Sequence, residues 1–238
     1  MLKNKEVNIT TPVNLTKVSR NLGSELDLDW VLSTQANTSA IERRANSIGA
    51  RRSIKKQHQA AWLIKAITLI DLTTLSGDDT ERRVERLCAK GKKPISKELT
   101  TALGIDKLDI KVGAICVYHE MVKTAVKALK DTNIPVAAVS TGFPAGLSPL
   151  NLRIREIKES VRAGAAEIDI VISRRHVLNG NWTALYKEVK SFKEACGNSH
   201  MKAILATGEL GTLRNVARAS IICMMAGADF IKTSTGKE

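Results

Sequence analysis

The chain has 238 residues, of which 43% are hydrophobic, and four cysteines without any short spacing. This composition excludes fibrous, low-complexity and disulfide-stapled proteins, so we expect a globular protein of the reducing cytoplasm. The formal net charge of +13 points to an anionic partner, and nucleic acid, an acidic membrane surface and a phosphorylated small molecule all fit that charge.

The first 62 residues differ from the rest and are assigned to a basic, partly helical N-terminal extension, in which Ser39 is a predicted helix cap. The start, "MLKNKEVNIT", lacks the apolar core of a signal peptide, and no apolar run is long enough to cross a bilayer. The segment from Arg43 to Lys56 has six Arg and Lys residues and no acid. Because it has no aromatic residue on which bases could stack, we favour a solvated helix face over a nucleic-acid patch.

Residues 63–238 are predicted to form the main domain, in which short apolar runs alternate with amphipathic stretches. The first run starts at Ala66, and the six runs are "AITLIDLT", "KVGAICVY", "PVAAVSTGF", "EIDIVIS", "MKAILATGE" and "DFIKTST". Their near-continuous apolarity is typical of strands covered on both faces. Between the runs, apolar residues recur at helical spacing, as at Met121, Val122 and Ala125. This alternation predicts six β/α units around a parallel sheet, either open or closed into a barrel.

An internal repeat links two of the predicted strands. "AGAAEID" and "AGADFIK" each end a helix with a glycine, Gly164 and Gly227, and then enter a strand. Asp169 and Lys232 each lie five residues after the glycine. If these are the fourth and sixth strands of a barrel, their side chains belong to the same interior layer. The spacing therefore predicts that Asp169 and Lys232 face each other inside the barrel.

Lys232 lies within an apolar run, where an unpaired ammonium would be costly. One interpretation is a structural ion pair with Asp169, and the other is a nucleophile that forms a Schiff base after its amine loses a proton. Lowering a lysine pKa from about 10.4 to about 7.5 takes roughly 4 kcal/mol. Because Asp169 opposes that change, a second cation is required, and Lys202 in the fifth run is a candidate. The residues alone leave both interpretations open.

Other patterns are weaker. The closing "TSTGKE" lacks the spacing of a P-loop, yet Gly236 and Lys237 at a strand end suit a phosphate as well as an ordinary turn. His119 in "HEMVK" lacks the second histidine of a zinc helix, so no metal site is predicted. Cys116 is more typical of a small core residue than of a nucleophile. No glycine-rich dinucleotide fingerprint follows the first strand.

Several motifs, in order, resemble the deoxyribose-phosphate aldolase family. They are "IDLTTLSGDDT", "AICVY", "TGFPAG", "AEIDIVI", "ATGELGT" and "DFIKTSTGK". The resemblance begins near residue 26 and is strongest to animal members, which also carry an N-terminal helical extension. It implies a TIM (β/α)8 barrel that reversibly cleaves 2-deoxy-D-ribose 5-phosphate to glyceraldehyde 3-phosphate and acetaldehyde through a lysine Schiff base. It also implies that no metal or organic cofactor takes part.

The resemblance assigns the reacting groups by position in these motifs. Lys232 matches the Schiff-base lysine of the family. Asp169 matches the aspartate that moves protons while the carbinolamine and the enamine form. Asp71 and Lys202 match a supporting acid and base that steady this pair.

Four further positions match residues that contact the substrate in the family. Thr73 matches a residue close to the sugar hydroxyls, and Cys116 matches a cysteine that lines the acetaldehyde side without acting as the nucleophile. Gly236 and Lys237 match part of the phosphate seat. The excess positive charge is then explained by an anionic substrate.

The chain departs from the family in length. Six strands are predicted, whereas a closed barrel has eight and occupies about 250 residues. The seventh and eighth units, which in the family carry a second essential lysine and most of the phosphate-binding backbone, are expected to follow Glu238. We therefore expect a C-terminally truncated barrel with two open sheet edges, and weak or no turnover by this chain alone.

Two other functions remain as alternatives. One is a non-catalytic protein that binds an acidic partner or nucleic acid through its basic N-terminal helix, and the other is a different Schiff-base aldolase such as a transaldolase. The motifs "DFIKTSTGK" and "ATGEL" favour deoxyribose-phosphate aldolase over a transaldolase, and salt-sensitive binding of RNA or DNA would favour the non-catalytic alternative. The expected partner is a phosphorylated sugar rather than nucleic acid, and no membrane is expected. A homo-oligomer is compatible with the sequence.

Overall fold

The computed structural model describes residues 19–51 and 54–237. Residues 1–18, together with Arg52 and Ser53 of the basic segment, lie outside the described residues, as does Glu238.

Six parallel strands form one sheet in the described part of the chain, and they follow each other across the sheet in sequence order. Each neighbouring pair is parallel, which requires a crossover after every strand. The strands are β1 (Asp71–Thr73), β2 (Ala114–Tyr118), β3 (Val136–Ser140), β4 (Glu167–Val171), β5 (His200–Ile204) and β6 (Phe230–Lys232). The predicted six β/α units of a barrel-type sheet are confirmed, and β1 and β6 are its two edges.

The crossovers are helical, as the apolar spacing predicts. The helices are α1 (Leu28–Ser33), α2 (Thr38–Gly49), α3 (Lys56–Ile67), α4 (Glu81–Lys92), α5 (Lys97–Ala102), α6 (Val122–Leu129), α7 (Leu150–Arg162), α8 (Arg174–Leu178), α9 (Trp182–Cys196) and α10 (Leu213–Met225). Val122 and Ala125 are fully buried on α6, so its predicted apolar face is confirmed. Over the ranges that the structure describes, every helix is too short or too polar to cross a bilayer.

Two predicted boundaries are wrong. The first strand begins at Asp71 rather than at Ala66, because Ala66 still belongs to α3 and residues 68–70 close that helix with hydrogen bonds back to residues 65–67. Ser39 lies inside the first turn of α2, and the cap is Asn37, whose side chain accepts a hydrogen bond from the amide of Ala40. Both Asn37 and Ser39 are residue types that cap helices, and which of them is the cap depends on where the first turn of α2 begins.

The sheet has an apolar layer on each side, because successive side chains of a strand point in opposite directions. The outer side chains, such as Ile115, Ile168 and Ile170, pack with the helices in one large core. Full burial of each of these side chains contributes about 1.5 to 3 kcal/mol. The inner side chains form a smaller cluster of Cys116, Ala137, Val139, Phe143, Val171 and Ile204. The inner face therefore has an apolar part as well as the charged groups described below.

Part of the N-terminal extension is attached to the barrel. The backbone amide of Asn21 donates to Asp229 at 2.6 Å, and the hydroxyl of Tyr186 on α9 donates to the carbonyl of Ser24 at 2.7 Å. Arg218 on α10 donates to the carbonyl of Leu32 at 2.6 Å. These contacts fix residues near the start of the described chain against α9, α10 and the entry to β6.

Candidate active site

The internal repeat forms the same cap twice. After α7 the amide of Gly164 donates to Val161 and the next amide to Ser160, and after α10 the amides of residues 227 and 228 donate to residues 224 and 223. Both glycines have positive φ, 102° at Gly164 and 99° at Gly227, which is the left-handed geometry that this cap requires. Each cap leads into a strand at the same distance from the glycine, and the fifth residue after each glycine points into the interior of the sheet.

Asp169 and Lys232 meet inside the sheet, as the spacing predicts. The Nζ atom of Lys232 lies 2.5 Å from Oδ2 of Asp169 and donates to it. The Asp169 side chain is fully buried, whereas that of Lys232 is 30% exposed. The predicted contact is therefore confirmed, and the amine keeps one side open to an incoming molecule.

Lys202 joins the same cluster from β5. Its ammonium lies 2.6 Å from Asp71 Oδ2, 2.5 Å from Glu167 Oε2 and 3.5 Å from Asp169 Oδ1. Its Cα pairs with that of Asp169 on β4 and with that of residue 230, two residues before Lys232, on β6. The Lys202 side chain therefore lies beside Asp169. Among the described residues, three carboxylates thus surround two ammonium groups.

Burial and charge act in opposite directions on this cluster. Burial by itself lowers the pKa of Lys202, but the charges of the three surrounding carboxylates outweigh burial and raise its pKa above the ordinary range. Burial raises the pKa of Glu167, and the ammonium of Lys202 opposes that rise. Lys202 is therefore a fixed cation in this arrangement rather than a base that exchanges its proton.

Glu167 is not among the residues that the sequence predicts for the site. Its side chain is only 1% exposed, and it precedes Asp169 by two positions on β4, so both carboxylates face the interior. A signal was available in the sequence, because Glu167, the first acid of "AEIDIVI", precedes Asp169 by two positions and so occupies the same face of a strand that is otherwise apolar. Two acids on the inner face of a buried strand require cations, and the structure supplies them from β5 and β6.

Two cavities meet at Lys232. The edge cavity, between the two edge strands, has a volume of about 530 Å³ and is lined by Asp71, Thr73, Glu167, Lys202 and Lys232, among others. The mouth cavity, at the carboxyl ends of the strands, has a volume of about 380 Å³. Its lining combines an apolar group, Leu75, Cys116, Val139, Phe143 and Ile204, with a polar group, Lys232, Ser234, Thr235, Gly236 and Lys237. Lys232 and Thr73 line both cavities.

The four residues predicted to contact substrate lie around these cavities. Thr73 follows Asp71 by two positions on β1, and its hydroxyl donates to the Asp71 carbonyl at 2.9 Å. Cys116 is buried, and its Sγ lies 3.9 Å from Asp169 Oδ2. Gly236 and Lys237 form the outer rim of the mouth cavity, where Gly236 has a φ of 70°. All four thus line the cavities that meet at Lys232.

The thiol of Cys116 is expected to be unreactive. Burial, with a smaller effect from Asp169, raises the pKa of Cys116 to about 12. At about pH 8 its thiolate fraction is then roughly 1,000-fold below that of an ordinary cysteine. We expect iodoacetamide to leave Cys116 unmodified in the native protein and to modify it after unfolding, as measured by peptide mass spectrometry. Rapid alkylation of the native protein at Cys116 would contradict this environment.

The fold is a parallel β/α sheet, and a partly exposed lysine lies beside a buried carboxylate on its inner face. This combination is typical of β/α-barrel enzymes that form a Schiff base with their substrate. The chain belongs to the DeoC/LacD family of aldolases, whose family model matches residues 65–238. This membership favours the aldolase interpretation over a transaldolase and over a non-catalytic basic protein.

Similar proteins agree with the family. The chain is 57% identical over 222 residues to deoxyribose-phosphate aldolase of Homo sapiens, covering 92% of this chain and 70% of that protein. It is 59% identical over 218 residues to that of Mus musculus, covering 91% and 69%. A solved structure called QR15, an aldolase, superposes with a TM-score of 0.59 at 29% identity, covering 72% of this chain and 68% of the other. The chain therefore spans about 70% of the length of these mammalian relatives.

Proposed function

We propose that this chain carries the Schiff-base chemistry of a deoxyribose-phosphate aldolase, the reversible cleavage of 2-deoxy-D-ribose 5-phosphate to D-glyceraldehyde 3-phosphate and acetaldehyde. The observation that carries the proposal is the contact of 2.5 Å between Lys232 and Asp169 at the junction of two cavities. The family of the chain and the names of its mammalian relatives support this substrate.

Lys232 is the nucleophile in the proposed mechanism. Its neutral amine adds to the aldehyde carbon, and loss of water gives an iminium ion on Nζ. The bond between the second and third sugar carbons then breaks, and its electron pair moves into the iminium to form an enamine. The third carbon leaves as the aldehyde of glyceraldehyde 3-phosphate after its hydroxyl loses a proton. Protonation and hydrolysis of the enamine release acetaldehyde and restore the amine.

Asp169 is the proposed proton carrier. Its Oδ2 is in contact with the amine, so it can accept a proton as the carbinolamine forms and return one as water leaves. Its other oxygen faces Lys202 at 3.5 Å, whose raised pKa keeps a positive charge there. This cation lies beside the carboxylate that exchanges protons with the amine.

In this proposal the two groups of residues that line the mouth cavity bind different parts of the substrate. The apolar group that includes Cys116 and Phe143 receives the two-carbon aldehyde end. Gly236 and Lys237 on the rim receive the phosphate, which the net charge of +13 also attracts. Binding of the phosphate, far from the bond that breaks, contributes positioning. We assign Thr73 to the sugar hydroxyls and Asp71 to the support of Lys202.

We also propose a cytoplasmic location. The four cysteines at positions 88, 116, 196 and 223 are free and buried, which suits a reducing compartment. The domain boundary near residue 62 remains our proposal, with residues 63–238 as the aldolase domain.

Borohydride trapping tests the proposal. The chain is incubated with acetaldehyde and sodium borohydride, and the ethylated lysine is located by peptide mass spectrometry. We expect preferential modification of Lys232, and release of acetaldehyde from 2-deoxyribose 5-phosphate in a coupled assay. Modification spread over the exposed lysines without preference for Lys232 would reject the proposal.

A rim variant separates the chemistry from phosphate recognition. Lys237→Ala leaves the Lys232 and Asp169 pair untouched, since its residue lies on the outer rim. We expect unchanged trapping with acetaldehyde and weaker trapping with the phosphorylated sugar. Equal trapping of both compounds in the variant and the wild type would remove Lys237 from the phosphate seat.

A further inference from the structure

Glu167 forms the floor of the charged cluster, below the pair that performs the proposed chemistry. We infer that Glu167 is a positioning residue, whose carboxylate holds the Lys202 ammonium against Asp169 and adds the negative charge that favours a cation on Lys232. This inference rests on the proposed Schiff-base function and assigns a role to a residue outside the predicted site.

Among the residues that the structure describes, Glu167 forms an ion pair with one lysine. Its Oε2 lies 2.5 Å from Lys202 Nζ. Oε1 has no hydrogen-bond partner among the described residues, and both oxygens are shielded from solvent. A buried carboxylate with so few donors depends strongly on its one cation. Glu167 and Lys202 therefore fix each other.

The position of Lys202 in turn depends on two other acids. Asp71 holds it at 2.6 Å from the β1 side, whereas Asp169 is more distant at 3.5 Å. The Asp71 side chain is 30% exposed, and that of Glu167 is 1% exposed. Because charge interactions are screened less in buried surroundings, Glu167 should hold Lys202 more firmly than Asp71 does.

The second effect of Glu167 is on the charge of the site. With all groups ionised, the three carboxylates outnumber the two ammonium groups by one. A cluster with excess negative charge stabilises an iminium cation on Lys232 relative to the neutral carbinolamine before it. Removal of one carboxylate should therefore change the pH at which trapping begins as well as its rate.

Glu167 also separates two cavities. It lines the edge cavity together with Lys202 and Lys232, and it lines a cavity of about 590 Å³ at the amino ends of β3, β4 and β5. A glutamine has nearly the same shape and would fill the same wall. Glu167→Gln therefore changes the charge while preserving the packing, and Glu167→Asp preserves the charge with a shorter reach.

The test is the rate of borohydride trapping by acetaldehyde as a function of pH. For Glu167→Gln we expect the acid limb to move to lower pH, since the variant removes one negative charge from the cluster around the amine. We expect the plateau to fall about tenfold, since the iminium loses a stabilising negative charge. Glu167→Asp should return the acid limb to the wild-type position.

The matched control is Glu188→Gln, which removes the charge of another buried glutamate. Glu188 is 5% exposed and pairs with Arg153 at 2.7 Å on the helical side of the sheet. We expect this variant to lose thermal stability while keeping the wild-type pH profile. A folded Glu167→Gln protein whose profile superimposes on the wild type would overturn the inference. If the wild type itself forms no adduct on Lys232, the proposed function fails instead, so the two failures are distinguishable.

Discussion

Replacing Lys232 by arginine is expected to abolish the trapped adduct. The guanidinium keeps a positive charge beside Asp169, so the ion pair and the surrounding cluster persist. Arginine remains protonated at all accessible pH values and cannot supply a neutral amine to a carbonyl. Adduct formation with acetaldehyde should fall below detection, and retro-aldol turnover should fall on the order of 10⁴-fold or more, as expected when a covalent nucleophile is removed.

A second lysine pair provides the control for this variant. Lys193 on α9 lies 2.7 Å from Asp229, and its side chain is 16% exposed. Lys193→Arg makes the same substitution in the same kind of ion pair, away from both cavities. We expect wild-type trapping in this control. Adduct formation by Lys232→Arg at the wild-type rate would show that another lysine is the nucleophile and would reject the mechanism.

The strand order and the central pair could be predicted from the sequence because both depend on local patterns. Apolar runs separated by helical spacing give a parallel sheet, and a repeated helix cap places Asp169 and Lys232 at equal distances from Gly164 and Gly227. The parity of β4 and β6 then determines that these side chains share a layer. No knowledge of packing is needed for that step, which explains why the contact is predicted correctly.

The rest of the cluster depends on information that is not local. The reach of Lys202 depends on its side-chain conformation and on the register of β5 with β6, neither of which is visible in the residues around it. The role of Glu167 depends on Lys202 of the neighbouring strand, whose ammonium lies 2.5 Å away. The early start assigned to β1 has a similar cause, because apolar residues 66–70 suit the end of a helix as well as a strand.

The charges of the site bear on the sequence-based prediction that a neutral Lys232 amine needs a second cation. The sequence predicts that a neutral lysine needs a second cation nearby, and the described cluster provides Lys202 on the far oxygen of Asp169. That cation is itself compensated by Asp71 and Glu167. Because the described carboxylates of the cluster outnumber its ammonium groups by one, the requirement for a further positive charge near the amine stays a prediction.

Asp169→Asn is expected to give the second-largest loss, with a characteristic dependence on pH. The amide keeps the shape of the side chain but cannot carry a proton, which should lower the rate of imine formation by about 10²- to 10⁴-fold. The variant also removes the negative charge beside the Lys232 amine, which makes loss of the amine proton easier and partly offsets the loss at low pH. The deficit should therefore be smallest at low pH and increase as the pH rises.

The buried pair outside the site again supplies the control for this variant. Asp229 is 4% exposed and accepts from Lys193 and from the amide of Met201 at 2.7 Å, so Asp229→Asn removes an equally buried carboxylate. We expect a lower free energy of unfolding and an unchanged pH profile of trapping for Asp229→Asn. For Asp169→Asn the Lys202 ammonium keeps Asp71 and Glu167, so urea unfolding should show a folded protein. A deficit that is constant across the pH range would mean that Asp169 only shapes the cavity, because a proton carrier that also stabilises the ammonium must act differently at low and high pH.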